Sequence, residues 1–235
     1  MRIELRGVAF EYTPGIRVLD GIDLTVDDAQ SVALIGANGS GKTTLVRHLV
    51  GLLRPTAGSV LLDGSDTRDR MVAQLAACVG LAFQDPDRQI FGRTVRSEVE
   101  FGPLHLGRSA DVSRAAADTA LDKVGLADAV DAHPGDLGQA RRKLLSIASV
   151  LAMETPIVVL DEPTAALDAN GIERVQGLVG RLRAKGISVI LISHDMRFIA
   201  TSAQRIVRIS DGRVRREAST VDVFDNAGSA DLRDE

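Results

Sequence analysis

Short runs of consecutive apolar residues alternate along this chain with longer stretches in which apolar residues recur at helical spacing. Five runs are rich in Val, Ile and Leu and lack the alternation of a half-exposed strand, which indicates buried parallel strands. They are residues 31–36, 78–84, 157–161, 187–193 and 205–209. Because helix-like stretches separate them, the pattern predicts an α/β fold in which helices cover one parallel sheet.

The first thirty residues have a different pattern. Residues 10–15 contain Pro14 and Gly15 and are typical of a turn. Residues 22–26 alternate apolar and polar side chains, as expected for an antiparallel strand with one exposed face. We therefore expect an antiparallel β layer before the parallel sheet.

No strand signal occurs in residues 85–155, which predicts a helical subdomain. Apolar residues have helical spacing in residues 111–124 and 142–153. Proline and glycine interrupt the region, so we expect about three short helices joined by turns. The interrupting residues are Pro103, Gly107, Pro134 and Gly135.

These patterns divide the chain into a core, an insertion and a tail. The core combines residues 1–84 and 156–212, and the insertion is the helical subdomain of residues 85–155. Residues 213–235 form the tail, which is rich in arginine at first and small and polar later. The last ten residues are expected to be mobile.

Composition narrows the range of functions. The 235 residues are 45% hydrophobic and 26% charged, as in a folded globular protein. The net charge of −4 argues against nucleic acid as a partner. Cys78 is the single cysteine, which excludes an internal disulfide and a cysteine-built zinc site. The residues after Met1 form no secretory signal and no apolar run is long enough to span a membrane, so we expect a cytosolic chain whose membrane contacts require a partner.

Residues 36–43 read Gly-Ala-Asn-Gly-Ser-Gly-Lys-Thr and match the phosphate-loop pattern Gly-x4-Gly-Lys-[Ser/Thr] between a strand and a helix-like run. Glycines let successive N–H groups surround phosphate oxygens, and the helix N-terminus attracts negative charge. Lys42 is expected to contact the β and γ phosphates and Thr43 to bind Mg²⁺. A glycine-rich turn without a ligand is the alternative interpretation. The nucleotide-binding candidates here are Gly36, Asn38, Gly39, Ser40, Gly41, Lys42, Thr43 and Thr44.

Two acidic residues end the apolar run of residues 157–161. Asp161 is suited to the Mg²⁺ shell, and Glu162 is suited to act as general base on a water aligned with the γ-phosphate. Such a pair also occurs as a helix N-cap. The phosphate loop in the same chain favours the functional interpretation.

The motifs together resemble those of the ATP-binding cassette ATPases. Residues 161–164, Asp-Glu-Pro-Thr, are similar to the extended second nucleotide motif of that family, and residues 165–168 to its dimer-contact loop. Residues 193–195, Ser-His-Asp, resemble the switch-histidine segment, and residues 83–84 the glutamine loop. The resemblance covers nearly the whole chain and implies a P-loop NTPase fold with an N-terminal antiparallel layer and a helical subdomain.

Several site residues follow from this resemblance. It implies that ATP and Mg²⁺ are bound, with Glu162 as general base, His194 as a γ-phosphate contact, and Gln84 near both the attacking water and the metal. Thr43, Gln84 and Asp161 are the expected metal ligands. Tyr12 occupies the place where the family stacks an aromatic ring on adenine, although an aromatic residue that packs a turn is the alternative.

One motif departs from the family pattern. The family's Leu-Ser-Gly-Gly-Gln signature contacts the nucleotide held by the opposite subunit, and the usual spacing from Asp161 places it on residues 137–141, Leu-Gly-Gln-Ala-Arg. In another register, Gly138 and Gln139 end the motif. In the first register the serine donor is lost and neither glycine stands in its normal place, and Arg141 offers a charge-assisted phosphate contact instead.

A narrower resemblance links residues 83–91, with residues 94–95 and 100–103, to the ATPases of energy-coupling-factor importers of vitamins, cobalt or nickel. In this interpretation Ile90 and Phe91 are exposed and dock a helix of an integral membrane partner. The alternative is a surface loop whose two apolar residues anchor it to the core.

We therefore expect the ATP-hydrolysing subunit of an importer, bound peripherally at the cytoplasmic face of the cell membrane. Its expected partners are integral membrane subunits and a second ATPase subunit, in a homodimer or a heterodimer. The alternatives are an exporter or non-transport ATPase of the same fold, and a regulatory nucleotide-binding module with little turnover.

Overall fold

The structure is a computed structural model that describes residues 1–224, so the end of the tail, predicted to be mobile, lies outside the described residues. The strands are β1 (Ile3–Thr13), β2 (Ile16–Val26), β3 (Ser31–Ile35), β4 (Ala57–Leu62), β5 (Ser65–Asp66), β6 (Val79–Ala82), β7 (Ile157–Asp161), β8 (Ser188–Ile192), β9 (Arg205–Ser210) and β10 (Arg213–Ser219). The helices are α1 (Lys42–Leu49), α2 (Val72–Ala76), α3 (Val95–His105), α4 (Ala110–Val124), α5 (Gln139–Ala152), α6 (Ala169–Ala184), α7 (Met196–Ser202) and α8 (Thr220–Phe224).

The five predicted buried strands form one sheet. Its order is β10-β9-β3-β8-β7-β6, and the strands from β9 to β6 are parallel. Every residue of β3, β7 and β8 is buried, which explains their uninterrupted apolar runs. Because the strands are parallel, the segments after β3, β6, β7 and β8 lie at the same edge of the sheet.

β10 lies within the segment that the sequence placed in the tail. It pairs antiparallel with β9 at the edge of the sheet. Most of its residues are exposed or half-buried, so it lacks the apolar pattern by which a strand is recognised. The six-stranded sheet thus continues through β10 to Ser219.

The antiparallel layer is confirmed and has the order β2-β1-β4-β5. Ile22, Leu24 and Val26 are buried while their neighbours are more exposed, as the alternation predicts. The turn predicted at residues 10–15 is wrong in extent, because β1 continues to Thr13, which pairs with Ile16. Only the proline and glycine between those two residues form the turn.

The helical region contains α3, α4 and α5 and no strand between residues 85 and 155, as predicted. Pro103 lies inside α3 instead of separating helices. Pro103 has no backbone N–H and cannot donate a helical hydrogen bond. Because it is the ninth of eleven residues, the missing bond lies toward the end of the helix. Gly107, Pro134 and Gly135 lie outside the α-helices, as expected.

Both faces of the parallel sheet are covered by apolar cores. Along β3, Val32 and Leu34 pack toward the antiparallel sheet and α1, whereas Ala33 and Ile35 pack toward the helices on the other side. This alternation follows from the two-residue period of a strand. The two cores hold the sheet rigidly and leave the carboxyl ends of its strands free to form a site.

Candidate functional site

The loop between β3 and α1 closes around the Lys42 side chain. Its ammonium donates hydrogen bonds to the carbonyl oxygens of Gly36 at 2.7 Å and Ala37 at 2.9 Å. Gly36 has φ +147°, and a Cβ there would lie 2.0 Å from the carbonyl oxygen of Ile209. Only glycine fits this close approach, so the first glycine of the phosphate-loop pattern is explained by packing against β9.

The end of the loop presents the start of α1 to the cleft. Gly41 precedes the helix with φ +105° and provides no side-chain cap. The first N–H groups of a helix have no intrahelical acceptor, so those of Lys42, Thr43 and Thr44 are available to an anion. Burial lowers the pKa of Lys42, while the nearby carboxylate of Glu162 opposes that change. This geometry is suited to binding phosphate groups.

Thr43 and Asp161 meet beside this helix start. The Thr43 hydroxyl donates a hydrogen bond of 3.0 Å to the Asp161 carboxylate at the end of β7. Burial raises the pKa of Asp161, and the bond from Thr43 lowers it. A hydroxyl and a carboxylate at this separation provide the oxygen donors that Mg²⁺ prefers, so these residues fit the expected cation.

Glu162 and His194 are held together at the same edge. The His194 Nε2 atom lies 3.4 Å from Glu162 Oε1. Glu162 has φ +47°, and its N–H donates a 2.8 Å hydrogen bond to the carbonyl oxygen of Ile192 on β8. Burial raises the pKa of Glu162, and the interaction with His194 opposes this increase. A carboxylate of raised pKa in a fixed position is suited to accept a proton from water.

These groups line a single cleft of about 710 Å³, within the size range of small-molecule sites. Gln84 follows β6 into the cleft and is exposed. Tyr12 lines it from β1, with its hydroxyl 3.3 Å from the Thr44 hydroxyl and its ring 54% exposed. Of the other candidates, the lining includes Asn38, Gly39, Ser40, Gly41, Lys42, Thr43, Asp161, Glu162 and His194.

Two candidates lie elsewhere. Gly36 lies beneath the cleft, where its carbonyl holds Lys42. Arg141 lies in the first turn of α5 and pairs with Asp128 at 2.5 Å, so it does not line the cleft. Arg141 thus provides nothing to the nucleotide site of its own chain, and its contact with the nucleotide of a second subunit stays a prediction.

The segment after the glutamine loop differs in part from the prediction. Ile90 is half-buried against the core because its N–H bonds to the Pro86 carbonyl and turns the chain inward. Phe91 is 64% exposed and packs edge-on against Phe101 at 4.6 Å. The prediction that both side chains are exposed is therefore wrong for Ile90, which is half-buried, and correct for Phe91.

Phe91 and Phe101 border a surface cleft of about 270 Å³ between the parallel sheet, α2, α3 and α5. We call it the aromatic groove. Leu52 and Val72, both more than half exposed, lie on its other side. Such a grouping of exposed apolar side chains is typical of an interaction surface.

One buried polar residue beside the site, Lys143, is not among the residues predicted from the sequence. Lys143 is 2% exposed, and its ammonium contacts the carbonyl oxygens that follow β6 and end β7. Lys143 precedes Ile147 by four residues and Val150 by seven, and this helical spacing places it on the apolar face of α5. A lysine on an apolar helix face is the sequence signal that could have indicated it.

A comparison with known proteins assigns this arrangement to a family. The sequence profile described as ABC transporter matches residues 19–165, which include the phosphate loop and the Asp161–Glu162 pair. The chain belongs to the ABC transporter family. Energy-coupling factor transporter ATP-binding protein EcfA2 of Symbiobacterium thermophilum is 41% identical over 233 residues, which cover 95% of this chain and 80% of that protein. Cobalt import ATP-binding protein CbiO of Syntrophus aciditrophicus is 41% identical over 217 residues, covering 92% and 77%.

A solved structure supports the same assignment. The structure entitled "Dimeric structure of a post-hydrolysis state of the ATP-binding cassette MJ0796 bound to ADP and Pi" has a TM-score of 0.86 at 27% identity, covering 93% of this chain and 98% of that chain. The predicted P-loop NTPase fold is confirmed. This ABC ATPase is of the energy-coupling-factor and cobalt-import type, and the prediction of an ATP-hydrolysing importer subunit is confirmed. Within residues 1–224, no helix is long and apolar enough to cross a bilayer.

Proposed function

We propose that this ABC ATPase hydrolyses MgATP to power import of a metal ion or a vitamin, as a peripheral subunit at the cytoplasmic face of the membrane. The observation that carries the proposal is that the Lys42, Thr43, Asp161, Glu162 and His194 side chains converge on one cleft. The import direction rests on the likeness to the EcfA2 and CbiO proteins.

In this proposal each side chain of the cleft has a separate task. Lys42 and the first N–H groups of α1 bind the β and γ phosphates, and Tyr12 stacks on the adenine. Thr43, Asp161 and Gln84 would hold the Mg²⁺ ion, which when bound neutralises charge on the β and γ phosphates. Thr43 and Asp161 are already in contact at 3.0 Å, so little rearrangement is required of them.

Hydrolysis requires a base beside the γ-phosphate. Glu162 has the position and the raised pKa to take the proton from an attacking water. The neighbouring His194 ring, 3.4 Å away, orients the Glu162 carboxylate and reaches the γ-phosphate. Gln84, at the carboxyl end of β6, aligns the water from the other side of the cleft.

The second part of the proposal concerns the partners. Two ATPase subunits would enclose each ATP between the phosphate loop of one and residues 137–141 of the other. The aromatic groove would receive a cytoplasmic helix of an integral membrane subunit, since it exposes Phe91 and Phe101 directly after the Gln84 loop. Helices with an apolar face bind such grooves.

Co-purification from membranes in mild detergent tests the groove. Phe91→Asp should abolish recovery of integral membrane subunits, because the substitution places a charge in an apolar contact. Val112→Asp is the matched control: Val112 is 51% exposed on α4, outside the groove, and its variant should co-purify fully. Full co-purification and uptake by the Phe91→Asp protein would place the docking surface elsewhere.

A further inference from the structure

Lys143 is a buried cation at the junction of three elements. Its ammonium donates to the carbonyl oxygens of Phe83 at 3.0 Å, Gln84 at 3.0 Å and Asp161 at 2.8 Å. An ammonium has three protons, so three acceptors satisfy it completely. A single side chain from α5 thereby connects the ends of β6 and β7.

The ionic state of Lys143 fits this role. Burial lowers its pKa to about 8, and the carboxylates of Asp161, Glu162 and Asp85 oppose the shift. The three carbonyl oxygens also favour the charged form. Removing the side chain would leave the carbonyl oxygens of Phe83, Gln84 and Asp161 without this donor.

Gln89 holds the same loop from the other side. It accepts a 3.1 Å hydrogen bond from the Phe83 N–H and donates one of 3.0 Å to the Ser146 carbonyl on α5. Lys143 and Gln89 thus attach the loop after β6 to the middle of α5. We call these two side chains and their partners the polar joint.

The polar joint lies between the sites that the proposed function uses. Asp161 binds Thr43 through its carboxylate and Lys143 through its carbonyl. At the other end of α5, Ser149 and Met153 line the aromatic groove, as does Gln89. Residues 137–141 include the N-cap and the first turn of α5. A displacement of α5 therefore acts on Gln84 and Asp161 through a side chain that is fully hydrogen-bonded.

We propose that Lys143 is a positioning residue for ATP hydrolysis, which fixes the Gln84 and Asp161 backbone relative to α5 so that the attacking water and the metal ligands are aligned. This inference rests on the proposed function. Lys143 does not line the nucleotide cleft, so the loss of its side chain should affect turnover rather than nucleotide binding. Positioning of this kind is sensitive to shifts of about 1 Å.

The test uses the full chain in its membrane complex, with MgATP turnover and ADP binding measured on the same preparations. Lys143→Met keeps the length of the side chain and removes all three donors. We expect kcat to fall at least tenfold, while KM for MgATP and Kd for ADP stay within threefold of wild type. Lys143→Gln, which retains amide donors, should have an intermediate kcat.

Lys123→Met is the matched control. Lys123 is a half-buried lysine of α4 in the same helical region, and within the described residues its side chain makes no hydrogen bond or ion pair. Its variant should keep kcat within twofold. A folding defect unrelated to positioning would weaken ADP binding along with turnover, so equal losses of both in the Lys143 variants would overturn the inference.

The remaining outcomes are also decisive. A kcat within twofold of wild type in Lys143→Met would overturn the role of Lys143 and leave the proposed function intact. If Lys143→Met does not fold, Lys143→Gln takes its place, and an unchanged kcat there overturns the role. Absence of hydrolysis in the wild-type complex would overturn the proposed function and this inference with it.

Discussion

Replacing Glu162 by glutamine separates the catalytic role of this side chain from its effect on stability. The amide has nearly the same shape and can still contact His194, but it cannot accept a proton from water. General-base catalysis contributes about 10²–10⁴ in rate. We therefore expect turnover to fall by at least about 100-fold, while ATP binding is retained because Lys42 and the start of α1 are unchanged.

The same substitution should raise stability at neutral pH. Burial raises the pKa of Glu162, so the folded state holds a proton at pH values where the unfolded chain has released it. The stability of the wild type therefore falls as the pH rises from the pKa that Glu162 has in the unfolded chain to the higher pKa that it has in the folded protein. Above the pKa of the folded state, the loss is complete. A neutral glutamine avoids this loss, so the Tm advantage of Glu162→Gln should be larger at pH 8 than at pH 4.5.

Phosphate release from the complex gives turnover, calorimetry gives ATP affinity, and thermal unfolding of the chain without nucleotide at both pH values gives stability. Glu173→Gln is the control, since this carboxylate is exposed on α6 and does not line the cleft. Turnover of Glu162→Gln within tenfold of wild type would assign the base to another group. A Tm advantage that is equal at the two pH values would refute the desolvation argument.

Three further predictions use other parts of the site. Lys42→Ala should weaken ATP binding by at least tenfold in calorimetry, because it removes the cation at the centre of the phosphate loop; an unchanged Kd would mean that ATP binds elsewhere. Gly36→Ala should destabilise the chain by about 2 kcal/mol or more in denaturant unfolding, since the new Cβ would lie 2.0 Å from the Ile209 carbonyl oxygen; a stability equal to wild type would contradict this packing. The isolated chain should be nearly inactive if it belongs to a heterodimer, whereas in a homodimer Arg141→Ala should abolish its activity. Robust activity of the isolated chain that is insensitive to Arg141→Ala would exclude both the heterodimer and the homodimer that depends on Arg141. It would favour the register in which the signature motif ends at Gly138 and Gln139.

The sequence predicted the elements whose signal is local. The fully buried strands could be located because parallel strands covered on both faces are uninterrupted runs of Val, Ile and Leu. β10 was missed because its residues are mostly exposed and rich in arginine. The extent of β1 was also missed, since Pro14 and Gly15 alone make the turn and the strand residues before them give no strong signal.

The site was predictable where one short motif contains several of its groups. Lys42 and Thr43 belong to the phosphate loop, and Asp161 and Glu162 are adjacent. Lys143 could not be assigned in this way, because its acceptors lie 60, 59 and 18 residues away in sequence. Only the pairing of β6 with β7 brings these carbonyls to the same point, and such a contact has no local sequence pattern.

We propose that the altered signature segment still binds a phosphate of a second subunit, through two groups. Gly138 caps α5 without a side-chain acceptor, so the first-turn N–H groups of this helix are not satisfied by a cap. The helix start can therefore still attract a phosphate of a second subunit without the missing serine. Arg141 is held by Asp128 in an exposed ion pair, and exposed pairs of this kind contribute only about 0–1 kcal/mol. Breaking the Arg141–Asp128 pair therefore lowers the affinity for that phosphate by less than tenfold. A charge-assisted hydrogen bond from Arg141 to the phosphate can offset this loss.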